Sequence, residues 1–164
     1  MRAAVLFLVL FGVSTPLRAF SAVPEPAVST RPIRGVHLTA WIAGGKSARR
    51  RFLKKLEGTS INAVVIPIKE TDGHVYLPDA PLAKEFGAVQ AAIRRPKEML
   101  ADMHARGLYT IARVVTFKDN VVPYKKPEWA VQDSSGGIWL NRGDRAWTDP
   151  YHPEVWDYVI GIAV

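Results

Sequence analysis

The chain has 164 residues, 48% hydrophobic and 23% charged, which is enough apolar material for one domain with a core and excludes a disordered protein. It has no cysteine, so a disulfide framework and a cysteine lipid-attachment site are both excluded. Lysine and arginine total 22 against 15 acidic residues, a formal net charge of +7 that falls nearer +5 once Arg2 and Arg18 are set aside with the N-terminus.

Residues 1–22 have the layout of an export signal. Arg2 precedes the apolar run AAVLFLVLFGV, and small and polar residues follow in STPLRAFSA. The apolar core is short for a membrane span, so the reading is a signal peptide, with an uncleaved N-terminal anchor as its alternative and no other membrane segment. Cleavage after Ser21 would leave an exported, periplasmic, extracellular or envelope-associated protein. A Pro/Ser/Thr-rich linker covers residues 23–33.

From residue 34 a strand–helix alternation begins. RGVHLTAW (34–41) reads as a short apolar strand, and a helix is expected from about Ser47 to Glu57, with Ala48, Phe52, Leu53 and Leu56 on its apolar face and Gly58 at its end. The intervening Gly45-Lys46-Ser47 resembles half of a phosphate-binding loop. The motif G-x-x-x-x-G-K-[ST] needs a glycine at position 40, where the chain has Ala40, and bulky Trp41 and Ile42 occupy the loop. An NTPase reading is therefore set aside. The cationic cluster Arg49, Arg50, Arg51, Lys54 and Lys55 lacks interleaved aromatic residues for base stacking, so it reads as a solvated helix face and not as a nucleic-acid site.

INAVVIPIK (61–69) is a second strand, rich in β-branched residues. A long connection leads to a helix that opens with Pro96, buries Met99, Leu100 and Met103, and stops at Gly107. YTIARVVTFKD (109–119) is the third strand. DSSGGIW marks a turn, and a third helix starts near Pro153, with Val155, Trp156, Val159, Ile160 and Ala163 at helical spacing. That helix stops without a capping residue, so the chain is expected to be the front part of a longer protein.

Three strand–helix units with near-continuous apolar strands predict a parallel α/β sheet covered by helices. Both an open doubly wound sheet and a (β/α)8 barrel fit. Arg113, in the middle of the third strand, shares a face with Ile111, Val115, Phe117 and Asp119, and Lys69 ends the second strand. An open sheet has helices on both faces and no place for such charges, whereas a TIM barrel has an interior and a mouth for them. The prediction is the first three β/α units of a (β/α)8 barrel, truncated.

The segments NAVVIPIKETDGHVYL, PKEMLADMHARGLYTIARVVTFKD and WTDPYHPEVWDYVIGIA resemble consecutive blocks of a bacterial glycoside-hydrolase-type family, long catalogued as a domain of unknown function. The resemblance covers residues 34–164. It implies an exported or envelope-associated barrel distantly similar to the α-amylases, acting on a poly- or oligosaccharide. It also implies a principal catalytic acid on a fourth strand, beyond Val164. One position departs from the family pattern: Pro67 stands where the family usually carries Asp, while Lys69 is retained. A non-catalytic glycan-binding or envelope-structural protein on the same barrel is the alternative.

Glycoside cleavage needs two carboxyl groups across the scissile bond. The carboxylates at strand ends and in the following loops are Glu70, Asp72, Asp119 and Asp149, and the catalytic candidates are Asp119 and Asp149. Each also has a structural reading, Asp119 as a turn cap or partner of Lys118 and Asp149 as a helix cap. Arg113 and Lys69 are substrate-binding candidates, with an internal ion pair as their alternative. Trp41, Trp139 and Trp147 follow strands and offer flat faces on which sugar rings pack. Trp129 and Trp156 are assigned to packing. His37, His74, His104 and His152 are scattered without ligand spacing, so neither a metal nor another cofactor is expected.

Overall fold

The computed structural model describes residues 32–164; the signal or anchor and nearly all of the linker lie outside them. Three parallel strands form the sheet in the order β1-β2-β3, namely β1 (Gly35–His37), β2 (Ala63–Lys69) and β3 (Tyr109–Val114). Between β1 and β2 lie α1 (Ala40–Gly44) and α2 (Lys46–Leu56). The connection from β2 to β3 contains α3 (Pro81–Glu85) and α4 (Pro96–His104). After β3 come α5 (Val122–Lys125), a 3-10 turn (Pro127–Trp129), a hairpin of β4 (Leu140–Asn141) and β5 (Arg145–Ala146), and α6 (Pro153–Ala163). The molecule is thus mixed α/β around a parallel sheet.

β2 is the central strand and is apolar on both faces, as a parallel strand between two neighbours must be. Val64 and Ile66 face the helices and join Leu53 of α2, Met99 and Met103 of α4, and Ile93 in one core cluster. A second cluster, with Val75, Phe86, Val122, Trp129, Val155 and Tyr158, packs α3, α5 and α6 together. Proline cannot donate to a ladder and is unusual in a central strand. Pro67 is accommodated because the register shifts just after it: Pro67 pairs with Arg113, but Lys69 pairs with Val114. The resulting irregularity sits at the end of the strand, where a bulge re-aims the next side chain.

Several expectations need correction. The first strand ends at His37 and not at residue 41, because the Thr39 hydroxyl accepts a hydrogen bond from the Ile42 N–H (3.2 Å) and starts α1. The third strand ends at Val114, and Lys118 and Asp119 belong to the following loop. Arg49 is not solvated. It is 2% exposed, and its guanidinium donates to Asp102 Oδ2 of α4 (2.6 and 3.0 Å) and to the Ala43 carbonyl of α1 (2.8 Å), joining three helices. Arg50, Arg51, Lys54 and Lys55 are exposed as expected. On α6 the buried residues are Val155, Tyr158 and Ile162, so the packed face is rotated from the expected one, and Trp156 (55% exposed) and Ile160 lie outside. The turn in DSSGGIW is present, built on Asp133 Oδ1 accepting the N–H groups of Ser135 and Gly137.

Candidate functional site

The ends of β2 and β3 carry the charged residues that the sequence singles out, and the structure sorts them into two ion pairs. Lys69 and Asp119 are both fully buried, with Lys69 Nζ 2.9 Å from Asp119 Oδ2. The ammonium also donates to the Val115 carbonyl (2.9 Å), across the end of β3. The other oxygen of Asp119, Oδ1, accepts from the Val121 and Val122 N–H groups (2.7 and 2.9 Å), capping the start of α5. Both oxygens are thus engaged inside the protein. Asp119 pairs with Lys69; Lys118 instead lies over the Trp147 ring, 5.7 Å from its centroid.

The second pair is half-exposed. Arg113 Nη1 donates to Glu70 Oε1, and the two side chains are 36% and 25% exposed. Glu70 is the residue after β2, and Arg113 lies in β3 at the register position opposite Pro67. The pair therefore sits at the end where the strands finish, which is the catalytic end of parallel α/β barrels. Tyr76 lies close by, its hydroxyl pKa pushed up by burial first and then by the charges of Asp72 and Glu70. Asp72 accepts from the His74 N–H (3.0 Å) and approaches His74 Nδ1 at 3.2 Å.

Asp149 forms a turn. Its Oδ1 accepts from the Tyr151 N–H (2.9 Å) and its carbonyl from the His152 N–H (3.1 Å), immediately before α6. Of the tryptophans, Trp41 is 59% exposed on α1 and Trp139 is 42% exposed next to β4. Trp147 is partly covered, and its indole Nε1 is buried without a hydrogen-bond partner. Trp129 is packed, with Nε1 donating to Glu154 (2.9 Å). Trp41 lines a separate cleft with Lys46, Arg94 and Arg95. Among the described residues, no group of three or more His, Asp or Glu is arranged to hold a metal ion, and no helix is long and apolar enough to cross a membrane.

The sequence singled out Arg113 but not its tie to Glu70, because the pairing depends on a register that shifts at Pro67. Residues 35–164 match the family described as "putative glycosyl hydrolase domain". The chain belongs to this family. No curated protein matches the sequence. Among solved structures, a hypothetical protein from Ruminiclostridium thermocellum is 36% identical, with a TM-score of 0.72 over 78% of this chain and 67% of that one. A noncanonic maltogenic α-amylase, AmyB, from Thermotoga neapolitana is 18% identical, with a TM-score of 0.55 over 80% of this chain and 35% of that one. At that identity the likeness is one of fold. This glycosyl hydrolase-type domain therefore shares the parallel strand–helix arrangement of an α-amylase chain, of which it spans about a third.

Proposed function

We propose that the protein acts on a poly- or oligosaccharide as a glycoside hydrolase, and that its three strand–helix units are the first of a (β/α)8 barrel. The observation that carries this reading is the half-exposed Glu70–Arg113 pair at the ends of β2 and β3. A carboxylate fixed by a guanidinium at the strands' C-terminal end is a group that can meet a sugar, whereas Asp119 and Asp149 are committed to caps and turns. Glu70 supplies one carboxyl group, Arg113 orients it, and the second carboxyl comes from a later strand of the barrel, beyond Val164. Trp139 and Trp147 supply ring faces for sugar packing. Lys69 acts from behind, holding Asp119 and the end of β3 in place.

The test is release of reducing ends from a panel of polysaccharides. The 164-residue chain alone should be inactive. A protein that also carries the later strands should cleave at least one, and Glu70→Gln in it should lower that rate about 100-fold or more, the scale of a lost catalytic carboxyl. An unchanged rate in Glu70→Gln removes this residue from the chemistry. A second reading is supported by the fact that β2 has Pro67 and no carboxylate within the strand: a glycan-binding protein on the same scaffold. It predicts retention on a polysaccharide gel with no reducing ends released. We also propose export, from the basic–apolar–small N-terminus. Mature protein from the periplasm or medium should begin near Ala22 or Val23 on N-terminal sequencing, and recovery of Met1 protein only from the cytoplasm would contradict this.

A further inference from the structure

We propose that a cleft between the N-terminal ends of α2 and α4 binds an anionic glycan, meaning a sugar chain that carries carboxylate or sulfate groups. The proposal rests on the carbohydrate-directed reading above and names the substrate class. The cleft has a volume of about 330 Å³, at the small end of the usual range of ligand pockets, and Trp41, Lys46, Arg49, Arg94, Arg95 and Glu98 line it. Four cations thus face one carboxylate.

Glu98 does not neutralise them. It lies 3.5 Å from Lys46, 3.4 Å from Arg95 and 3.7 Å from Arg49, so a single charge is shared three ways. Arg49 is buried and tied to Asp102, which leaves Lys46, Arg94 and Arg95 as the solvent-facing cations. Lys46 and Arg95 are 75% and 77% exposed in their side chains, and among the described residues Arg94 has no ion-pair partner. Solvated lysines are ordinary on a protein surface. Here, however, three exposed cations surround a concave wall on which an exposed indole, Trp41, also stands. Sugar rings pack on an indole face and their acidic substituents pair with ammonium or guanidinium groups, so the two kinds of contact together describe a charged sugar.

The position is also fixed. α1 begins two residues after Leu38, at the end where β1 finishes, and α4 starts at that same end before running back to the start of β3. The cleft therefore opens at the end of the sheet that carries Glu70 and Arg113. Gly44 holds its two walls together: a Cβ at this position would collide with the Ala92 carbonyl oxygen and come within 2.7 Å of the Ala92 carbonyl carbon. The Gly45-Lys46-Ser47 segment, too incomplete for a nucleotide loop, thus has a use as one wall of an anion cleft. α2 has no acidic residue in its first turn and no side-chain cap, so its N-terminal dipole adds to the positive field.

The experiment is affinity electrophoresis of the full chain at one ionic strength, in gels containing polygalacturonate, dextran sulfate, unmodified dextran or a dT oligonucleotide. The protein should be retarded by polygalacturonate or dextran sulfate, and which of the two acts distinguishes carboxylate from sulfate as the recognised group. Retardation should weaken at least tenfold in apparent Kd in a Lys46→Ala/Arg94→Ala/Arg95→Ala variant, and severalfold in Trp41→Ala, with thermal melts confirming that both variants are folded. Equal retardation by unmodified dextran, stronger retardation by the oligonucleotide, or wild-type behaviour of the triple variant overturns the proposal. Cleavage of a neutral glycan without polyanion binding rejects this site and leaves the hydrolase reading standing. Polyanion binding without cleavage of any glycan does the reverse.

Discussion

Lys69 and Asp119 show how little room a buried charge leaves for alternatives. Both side chains have 0% exposure, and each is the other's only ionic partner among the described residues. Removing the ammonium leaves a carboxylate with two backbone N–H donors and no countercharge, so Lys69→Met should lower unfolding free energy by about 3–5 kcal/mol. Urea denaturation measures this, and a loss below about 1 kcal/mol would mean that the Val121 and Val122 amides suffice. Gly73 bears on the same pair, since it has φ +88° and a Cβ there would run into the Asp119 carboxylate. Gly73→Ala should therefore destabilise the cap of α5 by more than the roughly 1–2 kcal/mol that an L-residue pays for left-handed backbone alone; a melting temperature equal to wild type contradicts this. The sequence placed Lys69 correctly at the end of its strand but drew the third strand on to Asp119, which lies in the loop after Val114. It could not show that they meet, because Asp119 reaches Lys69 from a loop whose path no periodicity signals.

At the scale of elements, periodicity located α2, α4 and α6 to within a few residues, because each has an apolar stripe and a glycine or proline at an end. It misjudged which residues are buried where a charged or aromatic side chain broke the stripe. Arg49 looks like part of a solvated basic run, yet it is the joint of α1, α2 and α4, because an acid on α4 stands opposite it. Trp156 looks like core, but Tyr158 takes the buried position and Trp156 instead donates its indole N–H to the Pro150 carbonyl (2.6 Å). The α2–α4 joint has a pH signature. The Arg49 hydrogen bond is the chief reason that the Asp102 carboxyl lies below its ordinary range. Asp102 therefore holds its proton less tightly folded than unfolded. Its contribution is fully present above the unfolded value of about 3.9 and is lost as pH falls through the lower folded value. Asp102→Asn should flatten the acid side of the stability profile below about pH 4 in urea titrations. An acid limb as steep as the wild-type one would show that Asp102 does not set it.

For the whole molecule, the parallel α/β class was legible because β2 is apolar on both faces and the helices between the strands are amphipathic. The ordering β1-β2-β3 places Glu70 and Arg113 on neighbouring strand ends. The candidate site was only half legible: Arg113 stood out as a charge in a strand, whereas the cleft proposed at Trp41 required knowing that the segments around residues 44 and 92 touch. We propose that the Glu70–Arg113 pair faces carbohydrate and is not a structural strut. Arg113→Met, measured for both melting temperature and glycan turnover or binding, tests this most directly. Exposed ion pairs contribute about 1 kcal/mol or less and breaking a buried one costs about 3–5 kcal/mol. This pair, 36% and 25% exposed, lies between them. A binding role therefore predicts a melting temperature lowered by less than loss of a buried pair would cause, together with loss of glycan turnover or binding. An Arg113→Met protein that is equally stable and keeps full glycan turnover or binding would contradict the account.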